Sequence, residues 1–250
     1  MRLGSLLAGP LVTALATGLA LGTPATTYAG RPPADRPAVV EARTIGHSVQ
    51  GRPIKAFRLG ERGKPKVLLI STMHGNEGHT RQILASLRDG RPIHGINLWV
   101  LPVYNPDGLA RHTRKNAHGV DLNRNFPYHW ADLDGSYESG PRAGSEPETR
   151  AAMRFLRTIR PQWIISFHQP LHGVDTDTKS QRFSRRVADK LNLPRKSFNC
   201  GGVCHGTMTG WFNHQFRGSA LTAEYGSHPP RRLMRKIAPG QVLSIWGARR

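Results

Sequence analysis

Apolar, β-branched runs that stop abruptly at polar residues set the pattern of this chain. Val67-Leu68-Leu69-Ile70 leads directly into Ser71-Thr72-Met73-His74-Gly75-Asn76-Glu77. Four consecutive apolar residues bounded in this way read as a buried strand. Trp163-Ile164-Ile165-Ser166-Phe167-His168 repeats the design, and a strand over Ala220–Glu224 delivers Glu224 in the same manner. Further strands are expected over Ile54–Leu59 and Ile96–Val103. Apolar positions at Ile83, Leu84 and Leu87 predict a helix from Glu77 to Leu87, and two more are expected over Glu148–Leu156 and Ser180–Leu191. Ser145, three residues before Glu148, reads as the N-cap of a capping box. The alternation of strand and helix predicts an α/β fold: one domain with a mixed, mostly parallel twisted sheet flanked by helices. Such sheets place their sites at the carboxyl ends of the strands, where the polar residues above fall.

The chain's 250 residues suffice for one such domain. The first 29 are not counted in it. Arg2, the apolar run Leu6 to Leu21 and the small-x-small ending Thr27-Tyr28-Ala29 predict a cleaved export signal. The run is short for a membrane span of about 20 residues, so no transmembrane anchor is expected after cleavage. Residues 30–41, rich in Pro and Arg, read as a flexible lead-in. Ile45 to Pro53 reads as a turn, and the folded domain is expected over 42–250. Cys200 and Cys204 are the only cysteines. Their Cys-Gly-Gly-Val-Cys spacing in an exported chain points to a local disulfide, with a pair of metal-binding thiols as the competing reading.

Charge narrows the partners. There are 36 Lys and Arg against 16 Asp and Glu, a net +20, and such a field favours polyanions (nucleic acid, anionic cell-wall polymers, membrane surfaces), with a solvated Arg-rich surface as the competing reading. No basic stripe interleaved with aromatics accompanies it, so specific nucleic-acid recognition is not expected. No G-x-S-x-G elbow is present, which leaves a serine hydrolase without a nucleophile.

His74 and Glu77 can ligate one metal across a strand-to-helix turn, and His168 is the natural third ligand. His₂Glu with an open fourth position is a catalytic zinc set. The polar loop Asn116–Pro127 and its neighbour Arg114 supply guanidinium and amide groups suited to a carboxylate. Asp121 can orient a ligating imidazole from behind.

Together, His74-x-x-Glu77, Gly119-Val120-Asp121-Leu122-Asn123-Arg124-Asn125-Phe126, His168 and Leu221-Thr222-Ala223-Glu224 resemble the zinc carboxypeptidase A-type metallopeptidases. Within that superfamily the compact chain is similar to the bacterial murein peptide amidase-like members, over roughly Thr44 to Tyr225. The resemblance implies one zinc ion per chain on His74, Glu77 and His168, with Asp121 behind it. It implies Glu224 as general base, Arg114 as the group polarising the scissile carbonyl, and Asn123 and Arg124 as the grip on a terminal carboxylate. Met208 and Thr209, in Gly206–Trp211, are expected to line the specificity pocket. Neither is charged, which argues against a simple Asp-lined pocket unless other loops supply one. Larger members carry a mobile Tyr, and the corresponding Cys200–Trp211 stretch holds none. The expected protein is a secreted, wall-associated metallocarboxypeptidase or amidase. Its substrate would be a peptide, or a peptidoglycan stem peptide, with a free C-terminal carboxylate. The alternative is a non-catalytic relative that binds such a ligand.

Overall fold

Eight strands form one sheet in the order β1-β2-β4-β3-β5-β8-β6-β7 in a computed structural model that describes residues 38–198 and 203–250. The strands are β1 (Val39–His47), β2 (Pro53–Gly60), β3 (Lys66–Ser71), β4 (Asn97–Leu101), β5 (Trp163–His168), β6 (Gly173–Asp175), β7 (Arg195–Lys196) and β8 (Ser219–Glu224). The helices are α1 (Arg81–Arg88), α2 (Pro106–Arg111), α3 (Pro147–Ile159), α4 (Gln181–Leu191), α5 (Met208–Gln215) and α6 (Ala238–Ser244). The expected leader and Cys200 lie outside the described residues.

The centre of the sheet, β4-β3-β5-β8, is parallel, and β1-β2 and β6 join it antiparallel. Parallel strands covered on both faces must be apolar on both faces, which is why β3 and β5 are unbroken runs. Alternate residues feed two cores. Val67, Leu69, Ile165, Phe167 and Leu221 pack on the side of α1, α4 and α6. Leu68, Ile70, Ile164 and Ala220 pack against α3 and α5 on the other. Register then aligns the carboxyl ends: Ser71 sits opposite Phe167, and His168 opposite Glu224. Among the described residues no helix is long and apolar enough to cross a membrane.

Three local expectations are corrected. Strand β1 begins at Val39, ahead of the expected domain start at Ala42, and runs through Ile45 to His47. The turn is confined to the residues around Gly51, whose φ is +77°. As a half-exposed edge strand, β1 lacks the apolar alternation that marks β2. Helix α1 starts only at Arg81, so Glu77 lies in the turn before it. Ser145 does not cap α3. Pro147 occupies the first helical turn and forces its predecessor out of the α region, so extended Glu146 is the N-cap, at ψ 138°. Ser145 Oγ instead donates to Glu146 Oε1.

Candidate metal centre

The turn after β3 is held by backbone-on-backbone contact. A Cβ at Gly75 would lie 1.9 Å from the carbonyl carbon of Gly108 in α2, so only glycine fits. Gly75 N–H also donates to the Arg114 carbonyl at 3.4 Å, tying the ligand turn to the loop that carries Arg114. His74, Glu77 and His168 are all buried. His74 Nδ1 is 2.6 Å from Glu77 Oε1, and His168 Nδ1 is 2.9 Å from Glu77 Oε2. The two Nδ1 atoms face each other at 3.3 Å. Each imidazole is fixed through its other nitrogen: His74 Nε2 on Asp121 Oδ1 at 3.0 Å, and His168 Nε2 on Ser166 Oγ at 2.9 Å.

The donor chemistry fits zinc. With both Nε2 atoms engaged outward, two ring lone pairs and a carboxylate converge on one point, their ligating atoms all within 4.8 Å of one another. Acceptors so placed repel unless a proton or a metal ion lies between them, and two imidazoles with one carboxylate are a zinc set that leaves a position open.

Electrostatics give this a measurable consequence. Burial works to lower the His74 pKa, but the Asp121 and Glu77 carboxylates overcome it and raise the value to about 9. Burial likewise works to raise Glu77, and the two imidazoles bring it down to about 2. A proton thus occupies the His74 ligand position at neutral pH and must leave before metal binds. The sign follows. Apparent zinc affinity should rise about tenfold per pH unit below the His74 pKa and level off above it. Competition against a chromophoric chelator from about pH 6.5 upward measures this, and a flat profile would contradict it.

Asp121 is fully buried and serves three partners. Besides His74, its Oδ1 accepts the Asn123 N–H at 2.9 Å, capping the short 3₁₀ turn Leu122–Arg124. Its Oδ2 accepts from Arg114 Nε at 3.0 Å and Nη2 at 2.7 Å. Arg114 Nη1 also lies 3.6 Å from Glu77 Oε1. Asn123 Oδ1 accepts the Met208 N–H at 3.0 Å, and Arg124 Nη1 donates to the Asn123 carbonyl at 2.8 Å. Gly206, at φ +60°, packs onto the main chain of Arg124, where a Cβ would come 2.1 Å from its carbonyl oxygen. Burial, reinforced by neighbouring Arg114, lowers the Arg124 pKa, with Asp121 opposing.

Glu224 closes β8 beside His168. Its Oε2 accepts the Leu171 N–H at 2.8 Å, and burial pushes its pKa up against the pull of His168. It shares a cavity of about 820 Å³ with His74, Glu77, His168, Arg114, Asn123 and Arg124.

Thr209 lines this cavity, but Met208 does not. Its side chain is fully buried in the core with Phe126 and Trp211, because the first turn of α5 points it inward; only its N–H serves the site. Cys204 is on the cavity wall and disulfide-bonded. His79, expected on a helix, precedes α1 and meets Gln169, its backbone N–H donating to Gln169 Oε1 at 3.1 Å.

Several wall residues escaped the sequence. Tyr137 comes from the loop after the Asn-Arg pair, and its ring lies 4.8 Å from the Arg124 guanidinium carbon and 5.5 Å from that of Arg114. Tyr128 lines the same cavity. Phenols therefore reach the site, though not from Cys200–Trp211. Asp175, Asp177 and Lys179 line it as well. No motif marks any of them.

Known proteins resemble this chain in sequence and fold to differing extents. The sequence model of the zinc carboxypeptidase family matches residues 30–173, which hold the three candidate ligands; Glu224 lies beyond the match. Murein peptide amidase A of Escherichia coli (strain K12) is 34% identical over 164 residues, covering 60% of this chain and 67% of that one. The crystal structure of murein-tripeptide amidase from Escherichia coli O157 is similar with a TM-score of 0.69 at 25% identity, covering 82% of this chain and 92% of that one. Carboxypeptidase A from Helicoverpa armigera is similar in fold, with a TM-score of 0.68 at 20% identity over 83% of this chain and 68% of that one.

Proposed function

The chain belongs to the zinc carboxypeptidase family, and on that footing we propose that it is an exported enzyme that hydrolyses the amide bond next to a free C-terminal carboxylate, its substrate a peptidoglycan stem peptide. That it is a zinc metallopeptidase follows from the family. One observation carries the reaction. Three buried metal-competent groups, a carboxylate on the adjoining strand and two guanidinium groups all face one cavity.

Zinc, when bound to His74, Glu77 and His168, supplies a Lewis acid for the carbonyl and for water. The remaining work falls to the chain. Arg124 and Asn123 hold the terminal carboxylate, and this sets the scissile amide at the metal. Arg114 donates to the carbonyl oxygen as negative charge develops there. Glu224 takes a proton from the attacking water and returns it to the nitrogen of the leaving amine. The C–N bond breaks, and the elements of water end up as one new carboxylate and one free amine.

The wall substrate rests on the amidases that the chain resembles and on its net charge of +20, which favours retention on anionic wall polymers. Export rests on the leader pattern, and a disulfide-bonded Cys204 suits an oxidising compartment. Zinc-loaded protein should release the terminal residue from muropeptides and fail on the same substrates with the terminal carboxylate amidated. Cleavage of ordinary peptides alone would remove the wall substrate, and cleavage of amidated ends would remove the carboxylate grip.

A further inference from the structure

The charge of +20 is not spread evenly over the molecule. Residues 225–250 hold six cations and no carboxylate. Four of the six, Arg231, Arg232, Arg235 and Lys236, lie in or just before the π-helical turn Leu233–Ile237, and all four are exposed. This turn packs against α1, and α6, which follows it, packs against both α1 and α4. Ser86 Oγ of α1 donates to the Arg235 carbonyl at 2.8 Å, which fixes the first of these junctions. Helix α4 contributes Arg182, Arg185, Arg186 and Lys190, with Asp189 as its one acid. Two basic stretches far apart in the sequence thus meet on one helical layer.

Helix residues four apart are about 6 Å from each other, and like charges at that spacing repel. Arg231 with Arg235, Arg232 with Lys236, and Arg186 with both Arg182 and Lys190 all have this spacing. Among the described residues the one cation of this layer with an ion-pair partner is Arg88, on Asp89 at 2.6 Å at the end of α1. Arg186 Nε is buried with no hydrogen-bond partner among the described residues, and burial together with Arg182 lowers the Arg186 pKa. The carboxylates are elsewhere: Glu77, Asp107, Asp121, Glu146, Glu148 and Glu224 are buried around the metal centre, α2 and the start of α3. Repulsion left uncompensated on one face is relieved by a polyanion.

We propose that the outer surface of α4 and residues 231–236 is a docking face for a linear phosphate polymer of the cell wall. The inference rests on the export proposed above and not on the hydrolysis, and it assigns retention to one face where net charge alone assigns it to none. The composition of the face selects the partner. A membrane surface calls for apolar anchors, and Ile237 is the one large apolar side chain exposed on this layer among the described residues. Single-stranded nucleic acid calls for aromatic platforms, and no Phe, Tyr or Trp of the layer is exposed. A polymer with a phosphate in each repeat and no bases needs only cations at short intervals, which both rows supply. None of these cations lines the cavity at the metal centre, so a bound polymer leaves it open.

The test titrates soluble poly(glycerol phosphate) into the zinc-loaded full chain at several salt concentrations. With about six phosphate contacts, the logarithm of affinity should fall against that of salt with a slope of about −4. Arg182→Gln, Arg232→Gln and Lys236→Gln together should weaken binding about a hundredfold at about 50 mM salt and make the slope shallower by about 2. Lys55→Gln, Lys64→Gln and Arg154→Gln remove the same charge from outside this layer and should change affinity less than about fivefold. All six positions are exposed, and melting temperatures verify that both triple variants fold. Equal losses in the two would mean that net charge alone holds the polymer, and would overturn the face. Absence of binding by the wild type at the lower salt would overturn it as well. Tighter binding to anionic phospholipid vesicles or to single-stranded DNA than to the polymer would overturn the partner. Polymer binding without hydrolysis of any peptide would remove the proposed reaction and leave the face standing.

Discussion

Glu224→Gln should lower kcat/KM about a thousandfold or more while the protein still holds one zinc ion. The size follows from what is removed. Proton transfer by a positioned side chain contributes about 10²- to 10⁴-fold, and an amide of the same shape cannot accept the proton. The contrast with zinc content follows from geometry. Glu224 lies outside the His74–Glu77–His168 group, and the hydrogen bond that its side chain accepts from Leu171 N–H needs only an acceptor oxygen, which Gln keeps. Elemental analysis and steady-state rates on the same preparation make the measurement. Turnover within tenfold of wild type would remove Glu224 as the base. A variant without zinc would mean that the side chain supports the metal and not the proton transfer. The non-catalytic alternative is tested by the same samples, because a binding protein would show no hydrolysis for the substitution to abolish.

What the sequence made legible, and what it hid, divides along burial. β3, β5 and β8 lie in the parallel centre of the sheet, so both faces demand apolar residues and the runs are unbroken. A polar residue that ends such a run must sit at the sheet's carboxyl edge, and His168 and Glu224 obey that rule, with His74 just past the end of β3. Glu77 came with His74 by spacing alone, although the helix assumed for it starts four residues later. β1 could not be found in this way, because an edge strand with one side in solvent carries Glu41, Arg43 and Thr44 at positions where a central strand would be apolar. The cavity wall was hidden for a different reason. Asp175 reaches the site by the pairing of β6 with β8, and Tyr137 by a loop that folds back over Arg114 and Arg124. Neither neighbourhood exists along the chain. Met208 shows the converse: adjacency to Thr209 suggested a shared role, but neighbours on a helix are about 100° apart, and one faces the core while the other faces the cavity.

Asp121→Asn should produce two losses that zinc can separate. The first is in metal affinity, about 10- to 100-fold, the usual effect of removing the partner behind a ligating imidazole. Asp121 Oδ1 sets the His74 ring with Nδ1 inward, and without that acceptor the ring loses its fixed orientation. The second loss should persist at saturating zinc, as kcat/KM lower by about tenfold or more. A carboxylate offers acceptors on both edges, and here both are used: Oδ1 by His74 and Asn123, Oδ2 by two nitrogens of Arg114. An amide has one acceptor edge. If its oxygen stays on His74, its NH₂ confronts the Arg114 guanidinium, donor against donor, and Arg114 loses the contact that aims it. If it flips, the imidazole loses its acceptor and the 3₁₀ turn carrying Asn123 and Arg124 loses its cap. Zinc titration of activity distinguishes the outcomes. Full recovery with excess metal would mean that Asp121 acts on the metal alone and that Arg114 is aimed by other contacts. A plateau below wild type would mean that one buried carboxylate ties the zinc ligand, the carbonyl-polarising arginine and the carboxylate grip into a single unit.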